Sequence, residues 1–156
     1  MSKVIIERAT SREDIEAVRS IFEAFIEFLP IDLGFQGIDD EMQAFPGFYE
    51  FMLIAKLDGK AIGAVALKAH DEHTCEMKRL YVLPEGRGTG AGRLLCEHLL
   101  KDAQKAGYHT MLLDSLRRLE AAVALYKKLG FEETKPYNFN PEDDVVYMQR
   151  SLDGVG

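Results

Sequence analysis

The stretch Leu80–Leu95, LYVLPEGRGTGAGRLL, decides the fold. Its first residues end a predicted strand, and its last residues begin an apolar run with helical spacing. Within its second part, RGTGAGRLL (Arg87–Leu95), three glycines stand at alternate positions, Gly88, Gly90 and Gly92. Glycine inside a helix or strand costs about 0.5–1 kcal/mol relative to alanine. The repeated glycines therefore indicate a backbone that side chains would disturb.

Three interpretations of the glycines compete. Unpaired amides and the positive end of the helix dipole attract anions, so the segment can hold a phosphate group. Gly86, Gly88 and Ala91 also match the dinucleotide-binding pattern G-x-G-x-x-A. A dinucleotide fold needs its strand to run straight into the glycines, and here Leu83–Glu85 intervene. A flexible turn before a helix stays open as the third interpretation, because a single glycine motif is a weak signal.

The remaining chain predicts strands and helices on both sides of this segment. Upstream we expect a strand, a helix capped by Thr10 or Ser11 and ending near Leu29, a loop with a short helix, and three strands in a meander. Asp58–Gly59 predicts a tight hairpin between the first two of these. Downstream come helix, buried strand, helix and two more strands. The order predicts a mixed α/β sheet of about seven strands in a single domain, residues 1–156.

Composition and charge narrow the function. A net charge of −7 disfavours binding to nucleic acid. The sequence contains neither a long apolar run typical of a membrane span nor the features of a signal peptide. Cys75 and Cys96 lack the spacing of a disulfide framework, so we expect a cytoplasmic protein with reduced thiols. The segment from Ser20 to Ala55 carries seven acids and no base, so it either attracts a cation or provides solubilising surface charge.

Two motifs resemble those of the GNAT superfamily of acyl-CoA-dependent N-acetyltransferases. Its pattern Arg/Gln-x-x-Gly-x-Gly/Ala is matched by Arg87, Gly90 and Gly92. Its second signature, a helix ending in Ala-x-x-Leu-Tyr-x-x-x-Gly-Phe, is matched by Ala122, Leu125, Tyr126, Gly130 and Phe131. The resemblance implies the α/β (α+β) fold of that superfamily: a mixed, mostly antiparallel sheet of about seven strands with a splayed central parallel pair, flanked by about four helices.

The resemblance also implies a reaction and a co-substrate. An enzyme of this kind transfers the acetyl group of acetyl-CoA to a primary amine by direct attack, without a metal. Backbone amides of the glycine segment hold the pyrophosphate, and the strand before it pairs with the pantetheine arm. The residues implied to bind the coenzyme are Leu80, Tyr81, Val82, Arg87, Gly88, Thr89, Gly90, Ala91, Gly92 and Arg93.

Two catalytic residues follow from the same resemblance. Tyr126 matches the general acid that protonates the leaving thiolate, and its alternative is a packed core tyrosine. Glu76 matches a carboxylate that often deprotonates the amine through water, and its alternative is a solvent-facing strand residue. One departure is Leu119, which stands where many relatives carry an asparagine that binds pantetheine. Arg117 and Arg118 either serve the coenzyme phosphates instead or face solvent.

The acceptor is the least defined part of this interpretation. We expect a small-molecule amine or a basic peptide, drawn to the acidic segment, and neither a nucleic acid nor a membrane as partner. The loop PYNFNPEDD, residues 136–144, either borders the acceptor pocket or simply precedes the last strand. We expect a monomer or a homodimer. A non-catalytic acyl-CoA-binding or sensor module on the same fold is the alternative function.

Overall fold

The computed structural model describes residues 3–29, 42–138 and 143–155. The strands are β1 Val4–Arg8, β2 Phe51–Leu57, β3 Lys60–Ala69, β4 Thr74–Val82, β5 Thr110–Leu116, β6 Glu132–Glu133 and β7 Val145–Ser151. The helices are α1 Arg12–Phe28, α2 Ala91–Lys105 and α3 Glu120–Lys128. Residues 42–44 are also helical and border an undescribed stretch.

The strand order β1-β2-β3-β4-β5-β7-β6 confirms the predicted seven-stranded mixed sheet. The chain forms two compact units, one of Met1–Lys68 with Met77–Leu99 and the other of Ala69–Glu76 with Leu100–Gly156. Strand β4 contributes its first residues to the second unit and its last residues to the first. Part of the expected acceptor surface lies outside the described residues, namely Asp32, Asp39, Asp40, Glu41 and residues 139–142.

In the first unit, α1 begins and ends where the sequence predicts. Ser11 caps the helix by accepting a hydrogen bond from the Asp14 amide at 3.1 Å. The buried face of the helix carries Val18, Ile21 and Phe22. The Phe22 ring packs edge-on against the Tyr49 ring, with centroids 5.7 Å apart. This apolar face holds the helix on the sheet, as its helical spacing indicates.

The hairpin between β2 and β3 also forms as predicted. Asp58 and Gly59 have φ angles of 53° and 79°, which fit the type I′ turn that Asp-Gly favours. The antiparallel register runs from Leu57 opposite Lys60 to Phe51 opposite Leu67. The turn therefore fixes the pairing next to it, and the register shifts by one residue between Ala55 and Lys56.

In the second unit, β5 lies beside the start of β4 and along the whole of β7. Thr74–Glu76 pair in parallel with Thr110–Leu112, and β5 pairs with β7 in antiparallel register from Thr110 to Leu116. The sheet therefore has one parallel pair among antiparallel neighbours, as the resemblance implied. No helix in the described part of the chain is long and apolar enough to cross a membrane.

Candidate active site

The glycine segment links β4 to α2 through a 3-10 turn at Pro84–Gly86. Gly88 and Gly90 have φ angles of 81° and 85°, in the left-handed region that glycine adopts without strain. A Cβ at either position would meet no atom within 4 Å. Backbone conformation, and not crowding, therefore requires these two glycines. Gly86 differs, because its Cβ would lie 2.8 Å from the Cβ of Ile62.

The start of α2 presents unpaired backbone donors. The hydroxyl of Thr89 accepts a hydrogen bond from the Ala91 amide at 3.3 Å. Among the described residues, the Gly92 and Arg93 amides find no acceptor, because helical bonding begins with the Leu94 amide. The first turn of a helix leaves such amides free for a ligand. Together with the helix dipole, they make this helix start favourable for an anion.

Each arginine of the segment has a neighbouring partner. Arg87 donates from Nη2 to the Tyr81 hydroxyl at 3.2 Å, and its guanidinium carbon lies 5.7 Å from the Phe28 ring centroid. On α2, the Arg93 Nε lies 3.6 Å from a Glu97 carboxylate oxygen. These contacts are on exposed side chains, so they stabilise the fold little and leave both positive charges accessible.

The backbone predicted to pair with pantetheine belongs to the end of β4. Leu80, Tyr81 and Val82 are partly buried, and they lie beyond the parallel register, which covers Thr74–Glu76. Arg79, just before them, has a φ of 60°, which is unusual for a non-glycine residue inside a strand. Backbone outliers of this kind cluster at functional sites. Nothing in the sequence pattern predicts this one.

Glu76 is the one charged residue that is buried in the described ranges, with 3% exposure. Its Oε1 lies 2.7 Å from His70 Nε2, and its Oε2 accepts a hydrogen bond from the Tyr137 hydroxyl at 2.8 Å. The alternative of a solvent-facing strand residue is therefore wrong. A buried carboxylate needs such partners, because burial without them is strongly unfavourable.

Tyr137 is fixed by more than its bond to Glu76. Burial raises the pKa of its hydroxyl above the usual value of 10.0, and the negative charges of Asp114 and Glu76 raise it further. The hydroxyl therefore stays protonated and remains a donor to the carboxylate. Its ring lies edge-on to the rings of His70 and Tyr147, with centroids 5.8 and 5.2 Å away. This aromatic packing holds the donor in place.

The sequence does not identify His70 and Tyr137 as hydrogen-bond partners of Glu76. Tyr137 stands 61 residues from Glu76, and no local periodicity reports so distant a contact. The available signal is compositional, since the stretches HDEHTCE and PYNFNPEDD are rich in polar and aromatic residues.

Tyr126 is buried near the end of α3, and its position is set by a helix-ending motif. The Phe131 amide donates to the Tyr126 carbonyl at 3.0 Å, and the Gly130 amide donates to the Lys127 carbonyl at 3.1 Å. Gly130 has a φ of 93°, so these bonds form a Schellman motif. The Tyr126 and Phe131 rings pack edge-on with centroids 6.0 Å apart. The second signature is therefore also a structural device that orients Tyr126.

The arginines before α3 have acidic partners. Arg117 Nη2 lies 2.6 Å from a Glu133 oxygen, and Arg118 Nε lies 2.7 Å from an Asp144 oxygen. These ion pairs keep the pKa values of Glu133 and Asp144 below their usual range. A role for the two arginines in binding coenzyme phosphates stays a prediction. Across the described ranges, no cluster of three or more His, Cys, Asp or Glu residues could hold a metal ion.

Comparison with known proteins places the chain in a family. The family model described as Acetyltransferase (GNAT) family matches residues 18–131. The chain belongs to the GNAT acetyltransferase family. An uncharacterised N-acetyltransferase of Schizosaccharomyces pombe is 38% identical, over 97% of this chain and 96% of that one. This chain is an N-acetyltransferase of the GNAT family.

The chain is also similar to a further curated enzyme and to a solved structure. An Escherichia coli enzyme, named as the alanine N-acetyltransferase of a ribosomal protein, is 38% identical over 57% of each chain. A putative acetyltransferase of Salmonella typhimurium, solved with its cofactor acetyl-CoA, has a TM-score of 0.72 and 23% identity over 97% of this chain and 95% of that one. At that identity, the solved structure shows a shared fold.

Proposed function

We propose that this GNAT chain transfers the acetyl group of acetyl-CoA to a primary amine by direct attack. The observation that carries the proposal is the buried Glu76 carboxylate, which His70 and Tyr137 hold by hydrogen bonds. Removing one partner of a buried charged group strongly destabilises a protein. Replacing the whole group by apolar residues often leaves its stability unchanged, so a buried charged group is not needed for stability alone. A module that only binds acyl-CoA has no use for this carboxylate. Its presence therefore favours an enzyme over a binding or sensor module.

The glycine segment is the proposed site of the coenzyme pyrophosphate. The unpartnered amides of Gly92 and Arg93 support this assignment, as do the positive φ angles of Gly88 and Gly90, which no side chain crowds. Phosphate groups bind readily at such helix starts. Arg87, Thr89 and Ala91 belong to the same segment. The strand backbone at Leu80, Tyr81 and Val82 is assigned to the pantetheine arm, whose amides can pair with a strand as an added strand does.

The chemistry requires three proton transfers. The acceptor must lose a proton to become a neutral amine, whose nitrogen then bonds to the thioester carbonyl carbon. The carbon–sulfur bond breaks, the leaving thiolate takes a proton, and the newly bonded nitrogen loses its second proton, which restores the proton donor. We assign the donation to the Tyr126 hydroxyl and the removal of the ammonium proton, through water, to the Glu76 carboxylate. No metal takes part in this scheme.

The proposed acceptor is a small-molecule amine or a basic peptide. Glu23 and Glu27 are exposed on α1, and negative charge of this kind attracts ammonium groups. The Escherichia coli relative is named for alanine of a ribosomal protein, so peptide amines belong among the candidates. We further propose a single catalytic domain over residues 1–156, a cytoplasmic location, and a monomer or homodimer.

The test is turnover of acetyl-CoA against a panel of amines, followed as free thiol released. The panel should contain amino acids, polyamines, peptides with free N-termini and lysine-containing peptides. Thiol release that depends on one amine class supports the enzyme and identifies the acceptor. Tight acetyl-CoA binding in calorimetry, with no turnover on any amine, would instead support the non-catalytic module.

A further inference from the structure

Within the hydrogen-bonded group around Glu76, the carboxylate is the buried member and His70 is the exposed one. The Glu76 side chain is 3% exposed, whereas the His70 side chain is 31% exposed. Oε1 faces His70 Nε2 at 2.7 Å, and Oε2 accepts from the Tyr137 hydroxyl at 2.8 Å. The imidazole is therefore more accessible from solvent than the carboxylate.

The position of His70 is set by the turn between β3 and β4. The His70 amide donates to the Thr74 carbonyl at 2.9 Å. Inside the turn, Asp71 Oδ1 accepts hydrogen bonds from the His73 and Thr74 amides, each at 2.8 Å. No hydrogen bond to the second ring nitrogen, Nδ1, is found within the part of the chain that the structure describes. The turn therefore fixes the His70 backbone, and Glu76 binds Nε2 of its ring. Nδ1 can then accept a proton from another group.

A carboxylate that accepts from Nε2–H selects one form of the neutral imidazole. The ring then carries its hydrogen on Nε2 and its lone pair on Nδ1. When Nδ1 takes a proton, the negative carboxylate stabilises the imidazolium that forms. This division of work, in which a buried acid orients a histidine base, is known from hydrolases with a histidine–carboxylate pair.

We propose that His70 is the general base of this enzyme and that Glu76 is the residue that positions it. The inference rests on the proposed acetyl transfer, and it moves the proton-accepting role from the carboxylate to the imidazole. The ammonium nitrogen of the acceptor loses one proton to Nδ1, directly or through one water. The neutral amine attacks the thioester, the carbon–sulfur bond breaks, and the leaving thiolate takes the proton of Tyr126. The bonded nitrogen then loses its second proton, which restores the Tyr126 hydroxyl, and the imidazolium returns its Nδ1 proton to solvent. Tyr137 completes the group by fixing the other carboxylate oxygen.

The charges that face the ring are consistent with a base of this kind. Glu76 of β4 faces Nε2, and the neutral Tyr137 hydroxyl lies on the far side of the carboxylate. On the turn itself, the Asp71 carboxylate is directed to backbone amides. His73 packs beside His109, with ring centroids 5.2 Å apart. Glu76 is therefore the one charge hydrogen-bonded to the His70 ring among the described residues.

The decisive variant is His70→Gln, because a glutamine amide can still donate a hydrogen bond to Glu76 but cannot take up a proton. With the best amine of the panel, we expect kcat/KM to fall by about 10²–10⁴-fold, the usual contribution of a general base. We expect imidazole added to His70→Ala to restore part of the lost rate. The matched control is His73→Gln on the same turn, for which we expect unchanged turnover.

A double-mutant cycle separates the two assignments of the base. If His70 takes the proton, adding Glu76→Gln to His70→Gln costs little more, because the two residues act as one unit. If the carboxylate itself is the base, His70→Gln keeps most of the activity and the second substitution removes it. That result, or a failure of imidazole to restore any rate, would overturn the proposal while the acetyl transfer stands. A wild-type protein that acetylates no amine would overturn the proposed function, and this proposal with it.

Discussion

Gly90→Ala and Gly107→Ala form a matched pair that tests the pyrophosphate assignment. The two glycines flank α2, and their φ angles are 85° and 97°. A Cβ at either position would meet no atom within 4 Å. Each substitution therefore introduces the same backbone strain, about 1–2 kcal/mol, and no clash. For a chain of this size, each kcal/mol lowers the melting temperature by about 2–4 °C, so we expect similar melting temperatures for the two variants.

Coenzyme binding should separate the same two variants. A methyl group at Gly90 would project into the proposed phosphate cradle, whereas Gly107 lies at the other end of the helix. We expect Gly90→Ala to weaken acetyl-CoA binding at least about tenfold in calorimetry, or about 1.4 kcal/mol. Gly107→Ala should bind like the wild-type protein. Equal affinities for the two variants, with equal melting temperatures, would refute the assignment of the pyrophosphate to this helix start.

Three further predictions concern the acid, the packing of the glycine segment and the pH dependence of stability. Tyr126→Phe should lower turnover about 10²–10⁴-fold with little change in acetyl-CoA affinity, and full turnover would make Tyr126 a packing residue only. Gly86→Ala should lower the free energy of unfolding by about 1–3 kcal/mol, because its Cβ would lie 2.8 Å from the Cβ of Ile62; an unchanged urea midpoint would contradict this. The raised pKa of Tyr137 means that the unfolded chain loses this proton first as the pH rises, so its contribution to stability is fully present below about pH 10 and declines progressively as the pH rises further. The melting temperature of the wild-type protein should therefore fall more steeply above that pH than the melting temperature of Tyr137→Phe, and parallel curves would count against it.

Local chemistry explains why much of the fold was predictable from sequence. A capping serine, an Asp-Gly turn and a glycine after the last helical residue act over a few positions, so their effects can be read directly. Ser11, Asp58–Gly59 and Gly130 all behave in the structure as their residue types predict. The two family motifs allow prediction over a longer part of the chain, because they place a glycine-rich helix start and a helix end in a known order.

The surroundings of Glu76 could not be predicted in the same way. Its buried position depends on Tyr137, which folding brings from 61 residues away. Its second partner, His70, stands in a polar turn that reads as ordinary surface. The positive φ of Arg79 is equally hidden, since no glycine or asparagine marks it. Tertiary contacts decide all three features, and sequence periodicity reports on none of them.

The Schellman motif at the end of α3 has a consequence for how this enzyme family changes over time. The Phe131 amide donates to the Tyr126 carbonyl, the rings of these two residues are in contact, and the Gly130 amide donates to the Lys127 carbonyl. The Arg150 side chain lies 3.3 Å from where a Gly130 Cβ would stand. A substitution at Gly130 would strain the helix end that orients the tyrosine, because a side chain rarely adopts the positive φ of this position. Descendants that keep the fold but abandon catalysis should therefore lose the glycine as freely as the tyrosine. In an alignment of such sequences, substitutions at Gly130 should occur together with substitutions at Tyr126.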